Sequence, residues 1–262
     1  GILIHELLQV FYDNFNKLGP VEAYELVKQK SLQQVQVLIE EDANLLPRAS
    51  VALKITEKYI RQFSPYEDKN WNVLATEYHF EAPIITPNGR EIVIEGYIDA
   101  LVSINGKLWV VDHKSVVSRF WDEVQIQLDS QFTTYAACMN ILGYPVQGII
   151  VNQVNTYQYK DYEKEPVEKF FRRVRTLRSQ TEQQNTLREV AFVIDDMVDH
   201  FERDRPFKKS LTKDCKNCNF AEVCMYTLKG LDVQGFLEVN HKQKTARPSE
   251  TNTNAIFEIE TP

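Results

Sequence analysis

The sequence has no long apolar run. The roughly 18 consecutive apolar residues needed to cross a bilayer occur nowhere, which excludes a membrane-spanning protein. Cysteines are few, 4 in 262 residues, and no basic segment followed by an apolar stretch opens the chain. So few thiols do not build a disulfide framework, and we expect a reducing, cytoplasmic setting. Positive charge is also scarce: 30 Lys and Arg against 37 Asp and Glu give a net charge of −7, which taken alone disfavours a nucleic-acid binder.

What the sequence does contain is a globular composition, with 43% hydrophobic and 26% charged residues. These fractions are near the globular average and exclude a wholly disordered or fibrous chain. The length is about 1.7 times a common domain unit of roughly 150 residues, so we expect one large domain or a core with an appendage.

The spacing of apolar residues changes along the chain from a helical period to a strand period and back. The first helical stretch ends at Gly19-Pro20, and runs rich in β-branched and aromatic residues follow Pro65. The predicted elements are helices over 2–18 and 20–63, strands over 73–85, 91–104 and 107–116, a helix over 120–142, a strand over 146–154 and helices over 167–204. Three strands in a meander and a fourth joined by a helix predict an α/β fold with a mixed central sheet flanked by helices.

This order predicts three parts of the chain. Residues 1–160 form a core with a helical insertion at 20–63, and residues 161–240 form a helical extension that carries most of the cysteines. Residues 241–262 form a polar tail rich in Pro, Thr and Asn. Such a tail is mobile unless a partner holds it, so it is a candidate contact for another protein.

A tight turn fixes the register of the second and third strands. Asn-Gly between two strand-like runs is the strongest short-range signal for a type I′ hairpin, and Asn105-Gly106 stands in that position. Counting outward from the turn places Asp99 directly opposite Asp112. Lys114 lies two residues after Asp112 and shares its face, because side chains alternate along a strand. Opposed carboxylates repel each other unless a cation neutralises them, so this set predicts a metal site.

The chemistry of these residues suits metal-assisted hydrolysis. Carboxylates hold Mg²⁺ or Mn²⁺, the metal acidifies a bound water, and a lysine orients the water or stabilises the developing phosphorane charge. The flanking residues are apolar, and an unpaired carboxylate between buried strands would be costly. The simpler alternative is an exposed strand edge, in which Asp112 and Lys114 are solvated and Asp99 is merely opposite.

Four segments resemble known nuclease motifs. Gly96-Tyr97-Ile98-Asp99 followed by Asp112-His113-Lys114 is similar to the signature of the PD-(D/E)XK nuclease superfamily, whose restriction-endonuclease-like core has the predicted element order. Gly1-Ile2-Leu3-Ile4-His5 resembles the Gly-x-x-x-His motif of its RecB/AddB-like exonuclease group, and Gln131-Phe132-Thr133-Thr134-Tyr135 resembles that group's Gln-x-x-x-Tyr motif. The group includes the CRISPR-adaptation nuclease and phage iron–sulfur exonucleases.

The resemblance implies a role for each matched residue. His5, Asp99 and Asp112 would be metal ligands, together with the backbone carbonyl of His113, and Lys114 would be the catalytic lysine. Position 112 has Asp where Glu is commoner, a shorter reach that the superfamily tolerates. His5 taken alone could equally be a core or capping residue of an apolar helix.

The matched helix after the third strand would complete the site. Gln131 and Tyr135 would shape it and hold the nucleic acid nearby. They fall on an apolar helical stripe, where a glutamine needs a partner, whereas Tyr135 taken alone could be ordinary core. Glu77, on the first predicted strand, is a weaker candidate for a further acidic site residue.

Three of the four cysteines, Cys215, Cys218 and Cys224, lie within ten residues. In a reducing compartment this spacing indicates metal ligation, with chance clustering on a surface turn as the alternative. Zinc would need a fourth ligand, such as His200 or His241.

The resemblance implies a 4Fe-4S cluster in place of zinc. Its fourth cysteine would lie upstream of the Gly-x-x-x-His helix, so either the protein extends before Gly1 and contains that cysteine, or the cluster is incomplete. The remaining thiol, Cys138, lies on the apolar stripe and is expected in the core.

Basic residues are unevenly distributed despite the acidic total. Segments 167–178 and 203–216 each have a local charge of +4. They fit a surface that tracks phosphates, with a solvated helix face as the alternative.

We therefore expect a metal-dependent exonuclease that acts on single- or double-stranded DNA in recombination, repair or phage DNA processing, in a bacterium or a phage-infected host. Two alternatives stay open. One is a catalytically silent nuclease-fold module that binds DNA or assembles into a larger complex, and the other is a zinc-stapled binding protein.

Overall fold

The computed structural model describes residues 2–41, 46–117, 119–203 and 212–241. The chain divides into two compact units, Gly1–Val198 and Asp199–Pro262. The strands of the first unit form one sheet in chain order, β1 (Trp71–Ile85), β2 (Glu91–Ile104), β3 (Lys107–Val116), β4 (Val146–Asn155) and β5 (Phe171–Leu177). β3 and β4 are parallel, and the other neighbours are antiparallel. The predicted α/β fold with a mixed sheet flanked by helices is confirmed.

The helices are α1 (Ile2–Glu41), α2 (Leu46–Lys58), α3 (Ser64–Glu67), α4 (Glu123–Leu128), α5 (Ser130–Ile141), α6 (Gln180–Glu202), α7 (Ala221–Lys229) and α8 (Val233–Asn240). α1 is interrupted at Gly19, whose φ of 72° lies outside helical values and suits a residue without a side chain. The predicted break at Gly19-Pro20 is therefore confirmed. No helix in the described residues has the length and apolar character of a membrane span.

The hairpin between β2 and β3 has the predicted turn and register. Asn105 and Gly106 both have positive φ, 52° and 75°, as a type I′ turn requires. The ladder runs from Ile104 opposite Lys107 to Ala100 opposite Val111. The predicted register is confirmed over these pairs, and Asp99 and Asp112 are the next residue on each strand.

The helical region after β3 is two helices where one was predicted over 120–142. Asp129 separates α4 from α5 because its backbone is extended, with ψ of 112°. Its side chain accepts a hydrogen bond of 2.9 Å from the backbone nitrogen of Gln131 and so caps α5. The cap fixes the start of the helix that carries Gln131 and Tyr135.

The expectation of helices throughout 167–204 is wrong for β5. Residues 171–177 pair with β4 in an antiparallel ladder from Val154 opposite Phe171 to Gly148 opposite Leu177. The closely spaced arginines suggested a charged helix face, but in the strand Arg172 lies on one side and Arg173 and Arg175 lie on the other. α6 follows this strand, so the C-terminal helices begin later than expected.

Two apolar cores lie on opposite faces of the sheet. One lies on the face of Val111 and Ile150 against α1 and α2, and the other on the face of Val110 and Ile149 against α5. Neighbouring residues of a strand point to opposite faces. The side chains of Asp112 and Lys114 therefore share the α5 face, whereas that of His113 lies on the α1 face.

α1 also contacts the outer edge of β1. The side-chain amide of Asn16 donates to the carbonyl of Val73 at 2.6 Å and accepts from its backbone nitrogen at 3.2 Å. The β1–β2 register shifts between Val73 and Ala75, which marks a bulge at the same point. Farther along, Thr76 donates a hydrogen bond to Asp13 of α1.

The second unit is described by itself over residues 199–203 and 212–241. It contains a 3₁₀ turn (Lys213–Asn217) followed by α7 and α8. α7 ends at Gly230, which adopts a left-handed conformation and closes the helix. The predicted domain limits stay a prediction, and the expected polar tail lies outside the described residues apart from His241.

Candidate active site

Asp112 and Lys114 form a close pair on the α5 face of β3. The ammonium nitrogen of Lys114 lies 3.1 Å from Oδ1 and 2.9 Å from Oδ2 of Asp112. The carboxylate is 6% exposed and the lysine side chain 20%, so the pair is largely shielded from water. The alternative of two solvated residues on an exposed strand edge is therefore wrong.

Asp99 joins this pair from β2. Its Oδ2 accepts a hydrogen bond of 2.5 Å from the backbone nitrogen of His113. The side chain of Asp99 thus takes the place of the next backbone pair in the hairpin ladder. It stays within electrostatic reach of Asp112, whose pKa its charge helps to raise.

The two carboxyl groups have a shared electrostatic environment. Burial raises the pKa of Asp112 to about 6; Lys114 opposes this rise, and Asp99 adds to it. Burial also raises the pKa of Asp99, and the hydrogen bond from His113 and the charge of Lys114 oppose that rise. At Asp112, burial and the charge of Asp99 therefore outweigh the stabilisation of the carboxylate by Lys114.

The donor atoms have the chemistry of a Mg²⁺ or Mn²⁺ site, since they combine carboxylates with an imidazole. Oδ2 of Asp112 is buried and, although Nζ of Lys114 is near, has no partner with hydrogen-bond geometry. A buried acceptor in that state is costly unless it gains a partner, which a cation would be. As placed, however, no set of three His, Cys, Asp or Glu side chains in the described residues is arranged as a metal site.

His5 approaches the carboxylates from α1. Its Nδ1 lies 3.7 Å from Oδ2 of Asp99, and its ring meets that of His113 edge-on at 6.0 Å. Burial lowers the pKa of His5, which favours the neutral imidazole that ligates metals. The alternative of an ordinary core residue does not describe His5, because it faces a carboxylate.

Gln131 and Tyr135 continue the polar cluster along α5. Oε1 of Gln131 accepts a hydrogen bond of 2.9 Å from Lys114, and its Nε2 donates to the Tyr135 hydroxyl at 2.7 Å. Residues four apart share one face of a helix, which allows this relay. The glutamine thus has the partner that its position on an apolar stripe requires.

Gly96, in the matched motif, leaves room for a ring beneath this relay. A Cβ at position 96 would lie 2.7 Å from Cζ of Phe80, a distance that real side chains do not adopt. The Phe80 ring in turn packs edge-on against Tyr135, with centroids 5.8 Å apart. The glycine thus permits the contact that supports Tyr135.

Glu77 lies at the mouth of the cluster. It has a positive φ of 44°, uncommon for a residue with a side chain, and lines an open cleft of about 500 Å³ with His5, Asp99 and Lys114. Burial raises its pKa, and the charges of Asp99 and Asp13 add to the rise. Its predicted place near the acids is therefore observed, while a role in binding stays a prediction.

A buried polar network behind β3 was not predicted. Arg173 donates to Asp68 at 2.5 Å and to the hydroxyl of Tyr59 at 2.7 Å. The amide nitrogen of Asn152 contacts the same hydroxyl at 3.0 Å and Nδ1 of His113 at 2.9 Å. An asparagine inside the apolar run of β4 was the one sequence signal, because a buried amide needs partners.

The cysteines occupy two environments. Cys138 is fully buried in the core beside α5, as expected. Cys215 and Cys218 accept hydrogen bonds of 3.4 Å from the backbone nitrogens of Thr212 and Phe220, and Cys224 lies on α7. All three are described residues, and they do not form a metal-binding group as placed.

Comparisons with known proteins give one family match and two structural similarities. A sequence model of the PD-(D/E)XK nuclease superfamily matches residues 1–225. The crystal structure of SSO0001 is similar with 13% identity and a TM-score of 0.41, covering 75% of this chain and 77% of that one. A candidate exonuclease from Eubacterium rectale is similar with 12% identity and a TM-score of 0.37, covering 82% and 96%. A comparison with curated proteins finds no significant match.

Proposed function

Because the chain belongs to the PD-(D/E)XK nuclease superfamily, we propose that it is a metal-dependent exonuclease that hydrolyses phosphodiester bonds of DNA. The observation that supports this most is the buried pair of Asp112 and Lys114 beside Asp99. A binding module has no need of two buried acids next to a lysine, and their cost is repaid when a cation and a phosphate bind.

The donor set suggests how a metal would be held. Asp99, Asp112 and His5 would bind Mg²⁺ or Mn²⁺, with the backbone carbonyl of His113 as a further ligand. When bound, the ion supplies acidification of a water molecule and neutralises charge on the phosphate. Burial lowers the pKa of His5, which favours the neutral imidazole, and a bound cation would favour the ionised forms of Asp99 and Asp112.

Lys114 would act directly on the reacting groups. Its ammonium is fixed from two sides, by Asp112 on its own strand and by Oε1 of Gln131 on α5. From that position it can donate a hydrogen bond to the attacking water or to a phosphate oxygen and stabilise charge that develops there. Gln131 and Tyr135 would position the lysine and contact the nucleic acid.

Replacement of Asp112 by Asn tests the proposal. Asp112→Asn keeps the shape of the side chain but removes its charge, and we expect Mg²⁺- or Mn²⁺-dependent release of nucleotides to fall at least about 10³-fold. Asp161→Asn is the matched control, because Asp161 forms an ion pair with Lys164 near the surface and lies outside the acidic cluster. Unchanged nuclease activity in Asp112→Asn would refute the proposed role of this site in hydrolysis.

A more specific part of the proposal is that the enzyme digests DNA from its ends. An exonuclease degrades linear DNA and leaves a covalently closed circle intact, whereas an endonuclease opens both. Assays with the linear and the closed circular form of one plasmid separate these activities. An assay with one strand alone shows whether single-stranded DNA is a substrate. Loss of the closed circle would contradict an exonuclease.

We also propose that Cys215, Cys218 and Cys224 bind a 4Fe-4S cluster, with zinc as the alternative. Two of the sulfurs accept hydrogen bonds from backbone N–H groups, and hydrogen bonds of this kind stabilise thiolate ligands. Elemental analysis and visible absorbance of anaerobically purified protein distinguish iron from zinc. A colourless protein without either metal would contradict both.

The setting that fits this activity is the cytoplasm of a bacterium or a phage-infected host, in recombination, repair or phage DNA processing. A protein partner that binds the polar tail remains part of the proposal. Deletion of residues 242–262 should then abolish co-purification with that partner and leave nuclease activity intact.

A further inference from the structure

The basic segment 167–178 has fewer available charges than its composition suggests. Arg173 and Arg178 have side chains only 4% and 0% exposed. Arg173 bonds Asp68, Arg178 donates to two backbone carbonyls of α4, and Lys169 bonds Glu165 at 2.6 Å. The charges of these three residues are occupied by partners within the chain, so they are not part of a phosphate-binding surface.

Two arginines of β5 remain accessible. Arg172 has a side chain 40% exposed, and its guanidinium lies 4.0 Å from the carboxylate of Glu123, which is itself 81% exposed. Arg175 is exposed and has no ion pair within the part of the chain that the structure describes. Their charges are therefore available to a ligand.

The sheet register aligns Arg172 with the candidate catalytic lysine. Lys114 of β3 is opposite Gln153 of β4, and Gln153 is opposite Arg172 of β5. Residues opposite each other across a sheet share one face, so Arg172 and Lys114 point to the same side. With neighbouring strands about 4.8 Å apart, the two backbone positions are separated by about 10 Å.

A cavity adjoins this arginine. It has a volume of about 600 Å³ and is lined by Arg172, Arg175, Thr176, Glu123 and Gln127, among others. A phosphate of a DNA strand is small enough to enter it. Neighbouring phosphates of one strand are farther apart than the axial rise of about 3.4 Å per nucleotide, so a separation of about 10 Å corresponds to fewer than three nucleotides along one strand.

We propose that this cavity binds a backbone phosphate of the same DNA strand whose scissile phosphate lies at Lys114, within three nucleotides of it, with Arg172 as the principal contact. The inference rests on the proposed function, since it uses Lys114 to mark the point of cleavage. Glu123 competes with the phosphate for the guanidinium, so it weakens the site.

Binding measured without hydrolysis tests the site. Fluorescence anisotropy of a labelled single-stranded oligothymidylate in EDTA gives the Kd and its salt dependence for the full chain. Arg172→Gln should raise the Kd about fivefold and lower the slope of log K against log salt by about 0.7, the value of one phosphate contact on a single strand. Glu123→Gln should tighten binding, a gain that misfolding does not produce.

Arg188→Gln is the matched control, because it removes an equal charge from an exposed position on α6. It should change the Kd less than about twofold. Equal effects of Arg172→Gln and Arg188→Gln would overturn the site.

Substrate length provides the second readout. Arg172→Gln should raise KM for the oligothymidylate and leave hydrolysis of the p-nitrophenyl ester of thymidine 5′-monophosphate unchanged, because a single diester does not reach the cavity. Equal losses on both substrates would overturn the proposal. A chain that shows Arg172-dependent binding but hydrolyses neither substrate would support the phosphate site and refute the nuclease.

Discussion

The side-chain amide nitrogen of Asn152 lies 2.9 Å from Nδ1 of His113, inside the sheet. The amide donates, so Nδ1 is the acceptor and the proton of the neutral ring is on Nε2. Burial lowers the pKa of His113 well below its usual value, and the charges of His5 and Arg173 add to this. The neutral ring is thereby fixed on the α1 face of the sheet, on the side opposite to the side chains of its chain neighbours Asp112 and Lys114.

Loss of this amide should weaken both the fold and the site. In Asn152→Leu, the ring of His113 and the hydroxyl of Tyr59 lose a donor, and we expect the free energy of unfolding to fall by about 1–3 kcal/mol. Nuclease activity should fall as well, even at temperatures where the variant is folded. Urea unfolding and nucleotide release measure the two effects.

Gln147→Leu is the control for Asn152→Leu, since Gln147 is an exposed residue on the same strand. Its stability should change by no more than about 0.5 kcal/mol. If Asn152→Leu matched this control in both assays, the hydrogen bond would have no role in holding His113.

Arg173 and Asp68 should be strongly coupled. Both side chains are almost fully buried, so Arg173→Met or Asp68→Asn leaves one charge without its partner and should cost about 3–5 kcal/mol. The double variant should lose at least about 2 kcal/mol less than the two single losses combined. Arg61 and Glu57, an exposed pair four residues apart on the helical segment before β1, should couple by about 0.5 kcal/mol or less. Equal coupling of both pairs in a double-mutant cycle would refute the prediction.

Gln131→Met should separate positioning from metal binding. It removes the acceptor for Lys114 and the donor to Tyr135 but no candidate ligand, so we expect kcat to fall about 10- to 100-fold with unchanged affinity for Mn²⁺. Tyr135→Phe should have a smaller effect, because it leaves the contact with Lys114 intact. Steady-state rates and calorimetric titration with Mn²⁺ measure the two quantities, and a matching loss of Mn²⁺ affinity would contradict the division.

Stability without metal should depend on pH through Asp112. Its pKa is raised to about 6 in the folded chain, so the protonated carboxyl favours folding. That contribution is present below about pH 4 and is lost as the pH rises through about 6. Asp112→Asn in EDTA should therefore gain stability relative to the parent across this range, by about 2–3 kcal/mol at pH 7.

Mn²⁺ should make the parent more stable than Asp112→Asn, because a ligand stabilises only the protein that binds it. Thermal unfolding of both proteins at several pH values, with EDTA and with Mn²⁺, provides the measurement. If the difference in stability between Asp112→Asn and the parent in EDTA were the same at pH 4 and pH 7, Asp112 would have an ordinary pKa.

Local signals predicted the part of the site that a single hairpin builds. Asn105-Gly106 sets the turn by its own conformational preference, and alternation along β3 then places Asp112 and Lys114 on one face. The helical spacing of Gln131 and Tyr135 was visible in the same way. These relationships join residues within about one turn of helix or one pair of strands.

The remainder depends on partners that are far apart in the sequence. Arg173 looked like part of a charged helix because nothing near it indicates Asp68, which lies 105 residues earlier. Residues 171–177 are a strand paired with β4, and Arg173 of that strand is buried together with Asp68. Patterns within a segment do not reveal which of several arginines will be buried.

The contact of Asn16 with Val73 has a consequence for self-association. A long strand at the edge of a sheet exposes backbone groups that can template the addition of another chain, the first step of many aggregates. Here a side-chain amide occupies both backbone groups of Val73, next to a bulge, so a foreign strand cannot pair continuously along β1. Asn16 thereby blocks continuous addition of another strand at this edge of the sheet.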